Sequence, residues 1–475
     1  MVLQRNRPII IYGTSNPSTV VQVRLGTLAT STKSSSTGQW QARLPALPAS
    51  SNAIELVARD NQDEKTLHDI LIGDVWIAAG QSNMEFPLAR DRDAAKQIPL
   101  AQEKLLRLRH HSFPGQYHAG KPLDADDIDQ MTVENFFSGH WKTTAPENVR
   151  EISAVGYYFA KRLVQQTHIP IGLVNFSIGG APIESFISTT ALEHSPDFDK
   201  KVRGNWLDNT SIEGSFVRLR AQQHLGTSHG PRDALGPNHG YKPGFAWAAG
   251  PGQITRCPIA GVIWYQGESN AIRAVDVEEY AGLMRLMMSD WREQWHLPEL
   301  PFLWCQLPSI DEPARQFWPQ FREAQRQLLS QPDTGMAVTL DQGTPHDVHP
   351  RNKIEVGERL ARWALYYQYG QRDHLPSGPL PLAATYQANE VEVSFRFATS
   401  LQLMPNRKLQ LEADDGQGHF TACSGRLQGE RLIITLPKNA ARPSKVRYAW
   451  GMNAEAALYN GEQLPASPFE LSVSP

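Results

Sequence analysis

Four short stretches of this chain hold residue types that together could make an acyl-transfer site. Gly80-Gln81-Ser82-Asn83 offers a hydroxyl, and Ser177-Ile178-Gly179-Gly180 offers backbone N–H groups in a turn. Trp264-Tyr265-Gln266-Gly267-Glu268-Ser269-Asn270 offers an amide and a carboxylate. Asp347-Val348-His349-Pro350 offers an imidazole with a carboxylate two residues before it. Ser82 can attack a carbonyl carbon while His349 takes its proton. A carboxylate can orient that imidazole, and N–H groups with an amide side chain can hold the oxyanion, one such donor being worth ~2.7–4 kcal/mol of barrier. Singly, each stretch has a plainer use. Ser82 can cap the next helix, Gly179-Gly180 can be a tight turn, and Gln266 and Glu268 can be solvated loop residues. His349 is one of 15 histidines. Independent turns would rarely supply complementary parts, so the combination points to a serine esterase. Ser82 does not stand in a Gly-x-Ser-x-Gly run, so the α/β-hydrolase nucleophile elbow is not expected.

The elements around these stretches follow a strand–loop–helix rhythm. Asp74 to Ala79, Ile171 to Phe176, Ile259 to Tyr265, Pro301 to Leu307 and Met336 to Leu340 read as buried strands. Helical patterns run from Val149 to Thr167 with Ser153 as N-cap, from Val275 to Trp295, over 320–329, and from Lys353 to Tyr369. Strands alternating with helices predict an α/β fold with a parallel sheet covered on both faces. All four stretches then arrive at the carboxyl edge of the sheet, where such folds place their ligands. Residues 1–70 instead alternate short strands with turns, as do residues 376–475 after Pro376-Ser377-Gly378-Pro379, and each predicts a β-sandwich-like domain flanking a catalytic domain at 71–375. Within that domain a long loop insertion at about 195–255 breaks the rhythm. It is rich in Gly, His, Pro and Asn, as a lid or substrate-binding segment would be. Its His224, His229 and His239 match no metal-ligand spacing.

Composition narrows the function classes. A net charge of −3 over 475 residues, without a Lys/Arg block, gives no reason to invoke nucleic acid or an anionic membrane surface. No run approaches the ~18 apolar residues of a membrane span. The three cysteines, Cys257, Cys305 and Cys423, lie far apart and suit neither a disulfide framework nor a zinc site. The start, Met1 to Pro8, has no apolar signal-peptide core. That leaves either a cytoplasmic protein or an exported one whose leader precedes this sequence. Oligomeric state is not legible.

The four stretches, in this order, carry a family resemblance, most specifically in three of them with their flanks. Gly73-Asp74-Val75-Trp76 leading to Gly80-Gln81-Ser82-Asn83-Met84-Glu85, then Trp264-Tyr265-Gln266-Gly267-Glu268-Ser269-Asn270-Ala271, then His349-Pro350-Arg351-Asn352-Lys353, resemble the sialate O-acetylesterase family of SGNH/GDSL-like hydrolases. Met1 to Arg5 and the segments Val446 to Trp450 and Leu464 to Phe469 look like that family's terminal β-domains. The resemblance implies a three-layer, flavodoxin-like SGNH domain, with Ser82 as nucleophile and His349 as general base. It implies an oxyanion hole from the N–H groups of Ser82 and Gly180 with the Gln266 amide, and no metal or organic cofactor. In one respect the chain departs from the pattern. SGNH hydrolases commonly carry Asp three residues before the His, a position held here by His346. Asp347 is then the expected orienting carboxylate, with Glu268 and Asp341 as alternatives and a Ser–His dyad as a third. The implied partner is an acetylated carbohydrate, either O-acetylated sialic acid or an acetylated polysaccharide such as xylan. Sialate would need a cation, for which Arg351 and Arg90 are the candidates. A non-catalytic carbohydrate-binding protein is the reading from another class, and it would have no use for Ser82, Gln266 and His349 together.

Overall fold

The computed structural model describes residues 1–118, 120–228, 230–438 and 440–474. Its axis is one long strand, Glu64–Gly80, in which every residue from Ile70 to Gly80 is buried. Val75, Ile77, Ala78 and Ala79 have helix-covered sheet on both sides of them. Burying one such Val or Ile side chain is worth ~1.5–3 kcal/mol over leaving it in water. Across the sheet the order is Thr334–Ala337, Phe302–Cys305, Gly261–Tyr265, Glu64–Gly80, Ile171–Asn175, Leu106–His110 and Trp141–Thr143. These neighbours pair in parallel, except that Trp141–Thr143 runs antiparallel at the edge. With Leu106–His110 and Trp141–Thr143 set aside, the chain order of the other five is 2-1-3-4-5. The order therefore reverses beside strand Glu64–Gly80, and such a reversal opens a crevice at the carboxyl ends of the strands.

The helices form close to where the apolar periodicity puts them, at Ala154–Thr167, Ala274–Gln294, Trp318–Gln327 and Ile354–Tyr367. Ser153 caps the first, its hydroxyl accepting the Gly156 N–H at 3.0 Å. None of the described helices is long and apolar enough to cross a membrane. Leu106–His110 and its partner Trp141–Thr143 are strands that periodicity does not announce. Leu-Arg-Leu-Arg-His alternates like a half-exposed segment, and Arg107 stays polar by pairing with Asp69 at 2.7 Å.

The N-terminal strands form a small β layer over their own core of Ile9, Ile11, Val21, Val23, Leu25 and Trp40. They do not stop at the start of the α/β sheet. The exposed first half of strand Glu64–Gly80 pairs with Ser50–Arg59, and Val2–Gln4 pairs with Leu71 to Gly73 of the same strand. Residue 70 thus lies inside one continuous strand. Asp74 fastens the junction, accepting from Arg5, Gln4 and Tyr369 at 2.9, 2.8 and 2.9 Å.

At the other end, the expected sandwich-like domain is a closed barrel. Its strands are Leu380–Gln387, Glu390–Arg396, Arg431–Thr435, Phe420–Gln428, Leu411–Asp414, Lys445–Tyr448 and Phe469–Ser474, in that order around it. Antiparallel hairpins would have left two edges. Parallel pairing of Ala384 and Thr385 with Val473 and Ser474 joins first strand to last and removes them. Val391, Val393, Leu432, Ile434, Val446 and Phe469 fill the inside. The barrel docks on the sheet's carboxyl edge, where Ser309 Oγ donates to Ala454 O at 2.6 Å and Gln306 Nε2 to Ser467 Oγ at 3.0 Å.

The insertion is not an unstructured loop. It holds a helical stretch from Gly214 to Leu225, a two-residue hairpin and the short helix Phe245–Ala249. Lys201 anchors it, fully buried between Glu184 and Glu279 at 2.8 Å each. His224 and His239 are hydrogen-bonded to each other at 2.9 Å, and burial pushes both well below the usual imidazole range. His229 lies outside the described residues. Ser228 stands in a Gly-Thr-Ser-His-Gly run, Gly226 to Gly230, but follows a helix in an exposed turn rather than a strand, so it lacks the elbow setting.

Candidate active site

The strand ends converge as the sheet topology requires. Strand Glu64–Gly80 stops at Gly80, whose φ of +130° and contact with the Tyr265 carbonyl leave no room for a Cβ. The chain then turns into the one-turn helix Ser82–Glu85. Ser82 Oγ meets His349 Nε2 at 2.8 Å. Neither the Ser82 N–H nor the Gly180 N–H has an acceptor among the described residues. Gly180 adopts φ +82°, which turns the segment after strand Ile171–Asn175 back toward Ser82. A cavity of about 490 Å³ opens in front of this pair. Its wall includes Glu85, Arg90, Tyr117, Arg220, Tyr241 and Arg315 besides the expected residues.

Sequence reasoning placed Ser82, His349 and Gly180 together, and they are together. Asp347 is close to its expected place but not bonded to the ring. Its Oδ1 accepts the backbone N–H of His349 at 2.8 Å and stands 4.0 Å from Nδ1. The segment is a turn, with Asp347 bridging back to Thr344, and its carboxylate is spent on the His349 backbone rather than the ring. Among the described residues Asp347 is the carboxylate within ion-pair distance of His349. Asp341 is committed elsewhere, holding Arg359 through both oxygens at 2.6 and 2.7 Å. Glu268 lines the cavity, but its Oε1 takes the Asn83 amide, and burial raises its carboxyl above the usual range.

Gln266 does not reach the cavity. It is fully buried, and its Nε2 donates to Asn270 Oδ1 at 2.7 Å, Gln81 Oε1 at 3.2 Å and Ala181 O at 3.3 Å. A donor so engaged behind the turns is a brace between them. Arg351 also points away, donating from the surface to the Arg90 carbonyl at 2.9 Å. Arg90 does line the cavity, its guanidinium 5.2 Å from the Tyr117 ring centre.

The residues that sequence reasoning missed fall into two groups. Arg220, stacked 3.9 Å over Phe216, and Tyr241, donating to Gly179 O at 2.7 Å, come from the insertion. They are distant in sequence, and no local signal marks them. Asn83, Glu85 and Lys353 sit within the quoted motifs. Asn83 receives Lys353 Nζ at its oxygen and donates to Glu268 and, at 2.9 Å, to Val348 O. It thereby ties the Ser82 turn to the His349 turn.

Burial holds His349 down to about 4, helped by the cationic Lys353, Arg90 and Arg315 and opposed by Asp347. Its imidazole is therefore neutral near pH 7 and free to accept a proton. Lys353, fully buried, is itself lowered to about 8 by desolvation. A hydroxyl on a neutral imidazole, beside two free N–H groups and a cavity, can attack an ester and hold the resulting oxyanion.

The family described as carbohydrate esterase, sialic acid-specific acetylesterase, matches residues 72–202 and 249–366, which leaves out most of the insertion and both terminal β regions. The sialate O-acetylesterase of Rattus norvegicus is 26% identical over 447 residues, 86% of this chain and 79% of the relative. That of Homo sapiens is 26% identical over 434 residues, 85% and 76% of the two chains. The crystal structure of a carbohydrate acetylesterase from Xanthomonas citri superposes with a TM-score of 0.79 at 30% identity, covering 99% of this chain and 97% of that one. The chain is thus a carboxylic ester hydrolase acting on acetylated carbohydrate, and it belongs to the sialic acid-specific acetylesterase family of carbohydrate esterases.

Proposed function

We propose that the protein is a serine O-acetylesterase of acidic sugars, with O-acetylated sialic acid as its substrate. Ser82 Oγ attacks the acetyl carbonyl as His349 Nε2 takes its proton, and the oxyanion rests on the N–H groups of Ser82 and Gly180. Collapse expels the sugar oxygen, which takes the proton from His349 and leaves Ser82 acetylated. His349 then deprotonates a water that attacks the acetyl group, and acetate leaves as Ser82 recovers its proton. Asp347 steadies the imidazolium formed in each half, and Gln266 acts from behind by fixing Gln81. The 2-1-3-4-5 strand order, with Ser82 at the reversal, supports reading residues 71–375 as a flavodoxin-like SGNH domain. Residues 1–70 and 376–475 are then its β appendages.

The observation that carries the substrate is the pair Arg90 and Arg220. Both line the cavity, and neither has a carboxylate partner within ion-pair distance among the described residues. Arg220 Nη1 would stand 3.5 Å from a Cβ on Gly180, so a sugar carboxylate can meet it while the acetyl group lies at Ser82. The test compares acetate release from O-acetylated sialic acid and from acetylxylan. The expected result is a higher kcat/KM on the sialate, and an Arg220→Ala variant whose KM rises ~10-fold on the sialate alone, as loss of one charge-assisted contact implies. Preference for the neutral polysaccharide, or an equal effect of Arg220→Ala on both, overturns the sialate assignment.

A further inference from the structure

The turn after strand Ile171–Asn175 must present the Gly180 N–H to the cavity, and Glu85 holds that turn from below. Glu85 ends the short helix that Ser82 begins, so the two side chains are neighbours three residues apart. It is 4% exposed, yet it forms part of the cavity wall. Its carboxyl group lies against the Gly179 backbone, whose N–H favours the ionised form. A Cβ built on Gly179 would lie 2.6 Å from Glu85 Oε2 and 3.8 Å from the Ser82 Cβ, so only glycine lets the carboxyl approach this closely. From the opposite side Tyr241 donates to the Gly179 carbonyl at 2.7 Å. Gly179 therefore lies between the Glu85 carboxyl group and the Tyr241 hydroxyl. Glu85 Oε1, although buried, has no hydrogen-bond partner among the described residues.

We propose that Glu85 is a positioning residue of the oxyanion hole, holding the Gly179–Gly180 turn beside Ser82, and that a negative charge at this point opposes the oxyanion. This rests on the reading of Ser82 as nucleophile and Gly180 as oxyanion donor. A carboxylate at this point would sit one peptide from the developing oxyanion. Repulsion between two like charges this close raises the barrier. The groups that face Glu85 are Arg90 from its own segment, Gln116 and Tyr117 from the loop before residue 120, and Tyr241 from the insertion. His118, Arg220, Glu268 and His349 line the same cavity. Burial outweighs Gln116, the Gly179 N–H and Arg90, which favour the anion, and the carboxyl is pushed up to about 7. The neutral form therefore prevails below that pH and is lost above it.

The test is kcat and KM for acetate release from an acetylated sugar between pH 5 and 9, with wild type, Glu85→Gln and Glu85→Ala. Wild-type kcat should fall above pH ~7 by about tenfold per unit, the slope of one essential proton. Glu85→Gln keeps an acceptor for Gly179 without a charge, so its kcat should stay flat to pH 9. Glu85→Ala should lose roughly 10²-fold in kcat with little change in KM, as a displaced oxyanion donor does. An alkaline limb that persists in Glu85→Gln belongs to another group, such as Lys353, and overturns the proposal. So does a Glu85→Ala variant altered only in KM. Infrared spectroscopy reads the proton without turnover. A protonated-carboxyl band present at pH 6, gone at pH 8 and missing from Glu85→Gln is expected, and its absence from the wild type overturns the proposal. A wild type that releases no acetate at any pH would instead overturn the esterase reading, with the infrared band still reporting on Glu85.

Discussion

Ser82 and His349 touch, yet the two regions that deliver them are built in opposite ways. Ser82 follows a strand buried from Ile70 to Gly80, and its neighbours Gln81, Asn83, Met84 and Glu85 are buried in turn. The brace of Gln81, Gln266 and Asn270 lies directly behind it. His349 comes on a turn nearer the surface, its side chain 38% exposed and that of Asp347 50%. That turn is fixed by what reaches it from the buried side, the Asn83 amide on Val348 O, more than by its own residues. The difference teaches where precision originates. Ser82 is placed by the sheet, and His349 is placed by a clamp that the helix Ser82–Glu85 extends to it. An exposed carboxylate 4.0 Å from the ring adds only a little to either.

The largest expected effect removes what the sheet places. Ser82→Ala should cut kcat by roughly 10⁶, the scale seen when a serine nucleophile is lost, while the melting temperature stays near wild type. Appreciable residual turnover would put the nucleophile elsewhere and dissolve the comparison. Next comes the clamp. Asn83→Ala strands buried Lys353 and Glu268 without their shared partner, and it should cost about 3 kcal/mol of stability in a urea titration. By loosening the histidine turn it should also lower kcat roughly 10²-fold, as a misplacement of about 1 Å does. An Asn83→Ala variant with wild-type kcat would mean that the histidine turn holds itself. The smallest effect belongs to the exposed carboxylate. Asp347→Asn should lower kcat only about tenfold, far short of the ~10⁴ seen where the carboxylate is buried and bonded to the ring. Its signature is in pH. His349 held down to about 4 is competent above that value and lost as pH falls through it, so wild-type kcat/KM should hold its plateau down to about pH 5. Asp347 pulls that value up, so its removal should move the acid limb to still lower pH. A limb that moves upward, or a 10⁴-fold loss, would place Asp347 in full contact with the ring during catalysis.

Much of this was legible before any coordinates. Helix Ala154–Thr167 and its Ser153 cap follow from a 3.6-residue apolar repeat and one hydroxyl, both local features. Five of the six parallel strands were readable as apolar runs ending in Gly or polar residues. Other elements were hidden because their reasons are non-local. Leu106–His110 is a strand only because an edge was open beside Ile171–Asn175. The C-terminal barrel closes through a parallel contact between residues some ninety positions apart, which no hairpin signal encodes.

The site divides along the same line. Sequence alone determined which residues could react, because a hydroxyl, an imidazole and a Gly-Gly turn at strand ends are chemistry written in residue types. Only the tertiary structure decided which of several similar groups each role receives. Three carboxylates were candidates for His349, and the fold bonds Asp341 to Arg359, gives Glu268 to Asn83 and leaves Asp347 at a distance. Two arginines were candidates for the cavity, and backbone geometry turns Arg351 out and Arg90 in. Gln266 looked like a donor to substrate and is spent inside, while Arg220 and Tyr241 arrive from an insertion that carries no motif. A side chain's partner depends on distances and burial set by the whole packed chain, and those quantities do not exist until the chain has folded.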